Sequence, residues 1–348
     1  MRCNQIGVPA YARAMNITDF LFDALLKCPT KCHLRTLGEA GSGNEYAEWV
    51  CTHGRSYECA AAQRLEEAVP EIERVVSPSA ADGFKTARWR LATGIVVQTP
   101  SRSADSHVRE CEPQAGPMDG QNGLRAEQML ESRLHAIERI PPEGRGKPAQ
   151  FIPIRFIWRN KLTKDDKLLL AFDAFVLSGM LGREVSIGKI IHGDNHTTLK
   201  VKTTAFSGEV RKRLAKITAL LASPAPPDLV LNRHCAECEF QARCRKTAIE
   251  KDDLSLLAGM NAKERQKLRS KGIFTVTQLS YTFRPRRRPK RLRDKREKYH
   301  HALKALAIRE QKIHIVGSPE LKLEGTPVYL DVEGLPDRDF YYLIRHTA

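Results

Sequence analysis

Apolar residues recur along this chain with two periods, and its first two thirds switch repeatedly from one to the other. Asn16 to Leu26 reads as a helix start: Thr18 is a candidate N-cap, Leu21 and Leu25 share a face, and Cys28-Pro29 closes the stretch. A second helix is expected over Glu45 to Glu67. Thr93 to Gln98 (TGIVVQ) and Phe151 to Trp158 (FIPIRFIW) are β-branched and aromatic, which predicts strands. Helical spacing returns over Asp165 to Leu181 and Gly208 to Leu221, the second presenting Arg211, Lys212, Arg213 and Lys216 to solvent. Between them, Ile187 to Val201 is expected to rejoin the sheet. Strands interleaved with helices predict an α/β (α+β) core, a mixed sheet flanked by helices.

The pattern changes beyond Ala248. Asp252 to Ser280 is compactly helical, and Leu254 to Leu279 reads as helix, turn, helix. Gly272 in that turn would take a left-handed conformation and expose backbone amides to a phosphate; a plain helical linker is the other reading. Arg284, Arg286, Arg287, Arg288, Lys290, Arg291 and Arg293 open a run with Lys295, Arg296 and Lys298 that only Asp294 and Glu297 offset. Such a density is expected to contact phosphate, with Tyr281, Phe283 and Tyr299 beside it either stacking on bases or packing on the neighbouring helix. Ser101 to Asn122 is polar and aperiodic, hence a loop, and Pro327 to Glu333 reads as a last strand.

Composition narrows the partners. A net charge of +16 favours polyanions, through counterion release from phosphates, so DNA is the expected partner and RNA a possible one. The longest apolar run, Leu168 to Leu181, is broken by Asp173 and too short to span a bilayer, and no secretory signal opens the chain. No membrane partner and a cytoplasmic location are therefore expected. In that compartment the nine cysteines read as metal ligands or buried thiols rather than disulfides.

Cys235, Cys238 and Cys244 form C-x2-C-x5-C, a spacing that lets three thiolates converge from a tight loop leading into a helix. Cys28, which also follows a helix, is the best fourth donor and Cys32 the reserve. Spacing leaves three readings open: an iron-sulfur cluster, a structural zinc held by four thiolates or by three with His234, and inert thiols. Cys3, Cys51, Cys59 and Cys111 read as ordinary thiols.

The segment CP-x2-C near the start and C-x2-C-x-F-x3-C later resemble the iron-sulfur nucleases of the RecB and CRISPR-associated exonuclease group. The likeness extends to KLTKDDKLLLAFDAFVL, KIIHG, HCAECEF, DDLSLLAGM, GIFTVTQLSYTFRPRR and VYLDVEG, which in that order resemble the RecB-like nucleases. That family joins an iron-sulfur nuclease-like domain to an RNase H-like exonuclease domain. The resemblance covers most of residues 120–343 and the first hundred loosely. It implies a 4Fe-4S cluster on Cys28, Cys235, Cys238 and Cys244, and Mg2+- or Mn2+-dependent hydrolysis of DNA. It also implies three segments: a PD-(D/E)xK-like domain over 1–250, a helix-hairpin-helix-like module with the basic run over 251–313, and the first strands of a truncated RNase H-like domain over 314–348.

A PD-(D/E)xK centre needs an aspartate on one strand and an acid-x-lysine on the next, since two carboxylates must hold the metal while the lysine supports the attacking water. Here Leu134 to Ile137 carries His135 where the aspartate is expected, and Ile152 to Ile157 offers neither acid nor lysine at strand spacing. Leu168 and Phe172 stand where a Gln-x3-Tyr pair is expected. Glu131, Glu138, Lys161 and Asp173 are expected to be solvated charges rather than a displaced site, and His53 and Glu58 to be surface residues of the second helix. Asp331 and Glu333 resemble the first motif of the DEDD exonucleases, two carboxylates on one side of a strand that hold two metal ions. Further acids would be needed, Asp337 and Asp339 read as loop carboxylates, and Arg345 to Ala348 are expected to leave the strand.

Overall fold

The computed structural model describes residues 16–78, 84, 87–101, 128–142, 144, 148–223, 225–283, 301–313, 325, 329–335 and 340–347. Two compact units emerge, residues 1–38 with 51–226 and residues 39–50 with 227–348.

The first unit is a mixed α/β structure around one seven-stranded sheet. Its strands are β1 (Ile17–Thr18), β2 (Arg74–Val76), β3 (Leu91–Pro100), β4 (Met129–Ile140), β5 (Gln150–Ile157), β6 (Ile187–His192) and β7 (Thr197–Lys202), in the order β2-β3-β4-β5-β6-β7 with β1 beside β4. Among the described residues five helices accompany it: α1 (Asp19–Lys27), α2 (Pro29–Thr36), α3 (Glu45–Glu67), α4 (Lys164–Leu181) and α5 (Ser207–Ala222), although the first turns of α3 belong to the second unit. Phe22 and Leu25 of α1, Leu168, Phe172 and Leu177 of α4 and Val210, Leu214 and Ile217 of α5 bury one face of the sheet. Ala61 of α3, joined by Tyr57 and Leu65, packs on the other against Leu91, Ala136, Ile154, Phe156 and Ile191.

β5 is central and buries Phe151 through Phe156 without a break. Pro153 is tolerated in so central a strand because it faces Ile137 on β4, while pairing with β6 begins only at Ile154. β5, α4 and β6 form a parallel crossover unit. α4 starts at a capping box between Thr163 and Asp166 and stops at Gly182, whose φ of +65° is left-handed. The Ile187 to Val201 stretch is the β6–β7 hairpin, whose turn residue His196 has a φ of +47°.

β4 is shared. Its first half pairs in parallel with β1, up to Thr18 opposite Glu131, and its second half pairs antiparallel with β5, from Ala136 opposite Ile154. A fork therefore opens along residues 132–135, and the functional candidates of this unit gather there.

In the second unit, α6 (Gln241–Glu250), α7 (Ala262–Arg269), α8 (Val276–Ser280) and α9 (His301–Glu310) precede the hairpin of β8 (Tyr329–Leu335) and β9 (Phe340–Thr347). Leu254, Leu257, Val276, Leu279, Ala302 and Ala305 form a small core. Gly272 has the expected positive φ, +77°, in the turn between α7 and α8. The expectation that Arg345 to Ala348 leave the strand is corrected: Arg345, His346 and Thr347 belong to β9, opposite Asp331, Leu330 and Tyr329. The basic run Arg284 to Lys298, Tyr299, Asp337, Asp339, Cys3, Cys111 and most of Ser101 to Asn122 lie outside the described residues. No described helix is long and apolar enough to cross a membrane.

Candidate functional site

At the fork a guanidinium lies among acids. Arg155 of β5 makes a bidentate pair with Asp173 of α4, Nε to Oδ2 at 2.7 Å and Nη2 to Oδ1 at 2.7 Å. Ser132 of β4 donates to the same Oδ1 at 2.6 Å. Arg155 Nη2 also stands 3.7 Å from Oδ2 of Asp19, the first residue of α1. Arg155 is 7% exposed and Asp173 1%, so both charges depend on one another. Burial works against the Arg155 charge, but the attraction and hydrogen bonds of Asp173 outweigh it and hold the guanidinium more firmly protonated than usual. Burial raises the Asp19 carboxyl above its ordinary range, an effect that Arg155 partly offsets.

The α3 side of the fork holds a second pair. His135 Nδ1 accepts from the backbone N–H of Phe156 at 3.0 Å, satisfying a donor of β5 beyond Ile154, where its ladder with β4 ends. The imidazole proton therefore sits on Nε2, 3.7 Å from Oε1 of Glu58, too long for a hydrogen bond. Burial, with repulsion from Arg155, pushes His135 down to about 3, so the ring is neutral. Burial raises the Glu58 carboxyl, against the pull of Arg155 and Arg55.

Several expectations are corrected here. Asp173 is not a solvated helix residue, and Glu58 is half-buried against His135. His53 stands edge-on to Trp158, with ring centroids 5.3 Å apart. Glu138 pairs with Lys189, and Glu131 accepts from Gln98 at 2.8 Å. Sequence reasoning passed over Arg155 and Asp19. The signal for Arg155 was present: a lone charge inside FIPIRFIW must find a buried partner, and LAFDAFVL holds a lone opposite charge. These residues do not fit a divalent cation, because the guanidinium already occupies the space between Asp173 and Asp19.

The cysteines divide between the units. Cys28, the N-cap of α2, is half-buried, whereas Cys32 lies in the apolar core of the first unit, and burial pushes its thiol up to about 12. In the second unit, Cys235 and Cys238 lie on a single tight turn that leads into α6, which carries Cys244. Cys235 Sγ accepts from Asn232 N at 3.3 Å, Cys238 is buried, and His234 Nε2 accepts from Arg233 Nε at 3.3 Å. Asn44 ties the start of α3 to this loop: its Oδ1 accepts from Ala47 N at 3.2 Å, and its Nδ2 donates to Ala236 O at 3.0 Å and Cys238 O at 3.1 Å. Gly41 makes the approach possible, since a Cβ there would stand 2.5 Å from that of Glu239. Among the described residues, no three His, Cys, Asp or Glu side chains are grouped so as to hold a metal ion.

Asp331 and Glu333 lie on one side of β8, as period-two spacing requires, and both are exposed. No family model matches the chain, and no curated protein matches it.

Proposed function

We propose that the chain is a nucleic-acid-binding protein akin to the RecB-like nucleases, in which the cation of a metal-dependent centre has been replaced by the side chain of Arg155. The observation that carries this is the bidentate Arg155–Asp173 pair, with Asp19 beside it, at the fork of the sheet. A nuclease centre must offer carboxylate oxygens to a hydrated Mg2+ or Mn2+, and here those of Asp173 are committed to a guanidinium and a hydroxyl. His135, held neutral and used as a backbone acceptor, supplies no metal-binding carboxylate either. Hydrolysis would fall to Asp331 and Glu333, two acids where a two-metal centre asks for more.

Binding rests on charge. The excess of sixteen cations favours contact with many phosphates, which makes affinity fall steeply with salt. The iron-sulfur cluster belongs to the same proposal, with Cys235, Cys238 and Cys244 of the second unit as donors. Support comes from the donor chemistry and from Asn44, which fixes the carbonyls of Ala236 and Cys238 beside those thiols. When bound, such a cluster supplies cross-links by metal–thiolate bonds.

The test is an anisotropy titration of the full chain with labelled DNA and RNA across a range of salt concentrations, in the presence of a chelator. Affinity that falls linearly on logarithmic axes with a slope of several units is the expected outcome. Absence of binding to either nucleic acid at low salt would remove the proposal.

A further inference from the structure

Among the aromatic residues beside the basic run, the structure separates two fates. Phe283 packs against the core of Leu254, Leu257, Val276 and Leu279. Tyr281, which caps the C-terminus of α8, remains 71% exposed. Arg309 of α9 lies over the Tyr281 ring, its guanidinium carbon 4.3 Å from the centroid. The guanidinium is itself fixed: Nη1 donates to Ser280 Oγ at 2.9 Å, and Nη2 to Glu310 Oε1 at 3.2 Å. Ser280 is buried and its hydroxyl donates onward to Thr277 O at 2.6 Å. The result is a ring backed on one face by an anchored cation and otherwise open to solvent.

Such a ring contributes little to the fold, because an exposed cation–π pair is worth only about 0.5–1 kcal/mol and most of the ring's apolar area stays wet. It matches what an unpaired base requires: a flat surface of fixed orientation, made more attractive to a π system by the cation beneath it. Bases inside a duplex are already stacked and cannot present a face. The chain's cationic excess complements the phosphates on either side of such a base.

We infer that Tyr281, backed by Arg309, is a stacking platform for an unpaired base of single-stranded nucleic acid. This rests on the nucleic-acid reading above and names the form of the ligand. Tyr281 selects single strands through base contact, while the chain's cations supply affinity that strandedness does not change.

The experiment compares the wild-type chain, Tyr281→Ala, Tyr281→Trp and Arg309→Gln, using labelled oligothymidylate, oligouridylate and a blunt-ended two-strand duplex as probes. Tyr281→Ala weakens the single-stranded probes roughly five- to hundredfold, leaves the duplex within about twofold and does not change the salt slope, because no phosphate contact is lost. Tyr281→Trp retains single-strand affinity, and Arg309→Gln weakens it while keeping a neutral planar group under the ring. Unequal affinities for the thymidylate and the uridylate identify DNA or RNA as the natural source of the base. Equal losses on duplex and single strand, no loss from Tyr281→Ala, or failure of Trp to substitute would overturn the platform while leaving nucleic-acid binding intact. A wild type that binds none of the three probes overturns both.

Discussion

The acids of the sheet fork and the acids of the terminal hairpin lie in opposite surroundings. Asp173 is 1% exposed, bonded twice to Arg155 and once to Ser132. Asp331 and Glu333 project from β8 into solvent. A carboxylate's chemistry therefore follows from its surroundings rather than from its presence: the buried acid is spent on structure, whereas the other two lie exposed on a strand. Substitutions that exchange these circumstances probe the contrast.

The largest effect is expected at the fork. Arg155→Met leaves Asp173 buried without its counter-ion and should lower unfolding free energy by about 3–5 kcal/mol, measured by urea denaturation. Adding Asp173→Leu should recover most of that loss, because two apolar side chains replace an ion pair at little net change. A single variant as stable as wild type would show that the pair is not what holds the fork together.

pH provides the next test. His135 is pushed from 6.5 to about 3 in the folded state, so the unfolded chain binds the proton more readily. Its contribution is complete above 6.5 and is lost as pH falls toward the folded value, by at most about 1.4 kcal/mol per pH unit. Asp19 and Glu58, raised by burial, act in the opposite sense: their stabilisation belongs to low pH and is lost as pH rises through their folded values. The acid limb of the melting temperature below 6.5 should therefore be flatter in His135→Gln than in wild type.

Smaller effects lie in the second unit. Gly272→Ala meets no neighbouring atom, so only the φ of +77° opposes it, at about 1 kcal/mol. Asp331→Ala should change stability by less than about 0.5 kcal/mol, in contrast to any substitution of Asp173.

Much of the fold is legible in the sequence where one period holds over a whole element. β5 and α4 are apolar runs and α3 is a long amphipathic stretch, and each stands where its pattern predicts it. β1 is only two residues long, too short for any period to register, yet it creates the fork by sharing β4 with β5. α2 is hidden because PTKCHLRT is mostly polar and begins with proline, which reads as a break although it suits a first helical turn. The site is half legible. Arg155 and Asp173 each betray themselves as a charge inside an apolar run, but their pairing depends on how α4 crosses back over the sheet. The geometry of Tyr281 is beyond sequence reasoning, because only packing decides that Phe283 turns inward and Tyr281 outward.

One measurement tests the replacement of metal by Arg155 most directly. The purified chain is incubated with end-labelled single-stranded and duplex DNA in Mg2+ or Mn2+, and binding and strand length are read from the same samples. Bound and intact strands, with affinity unaltered by a chelator, are the expected result. Metal-dependent cleavage that disappears in Asp173→Asn would contradict it.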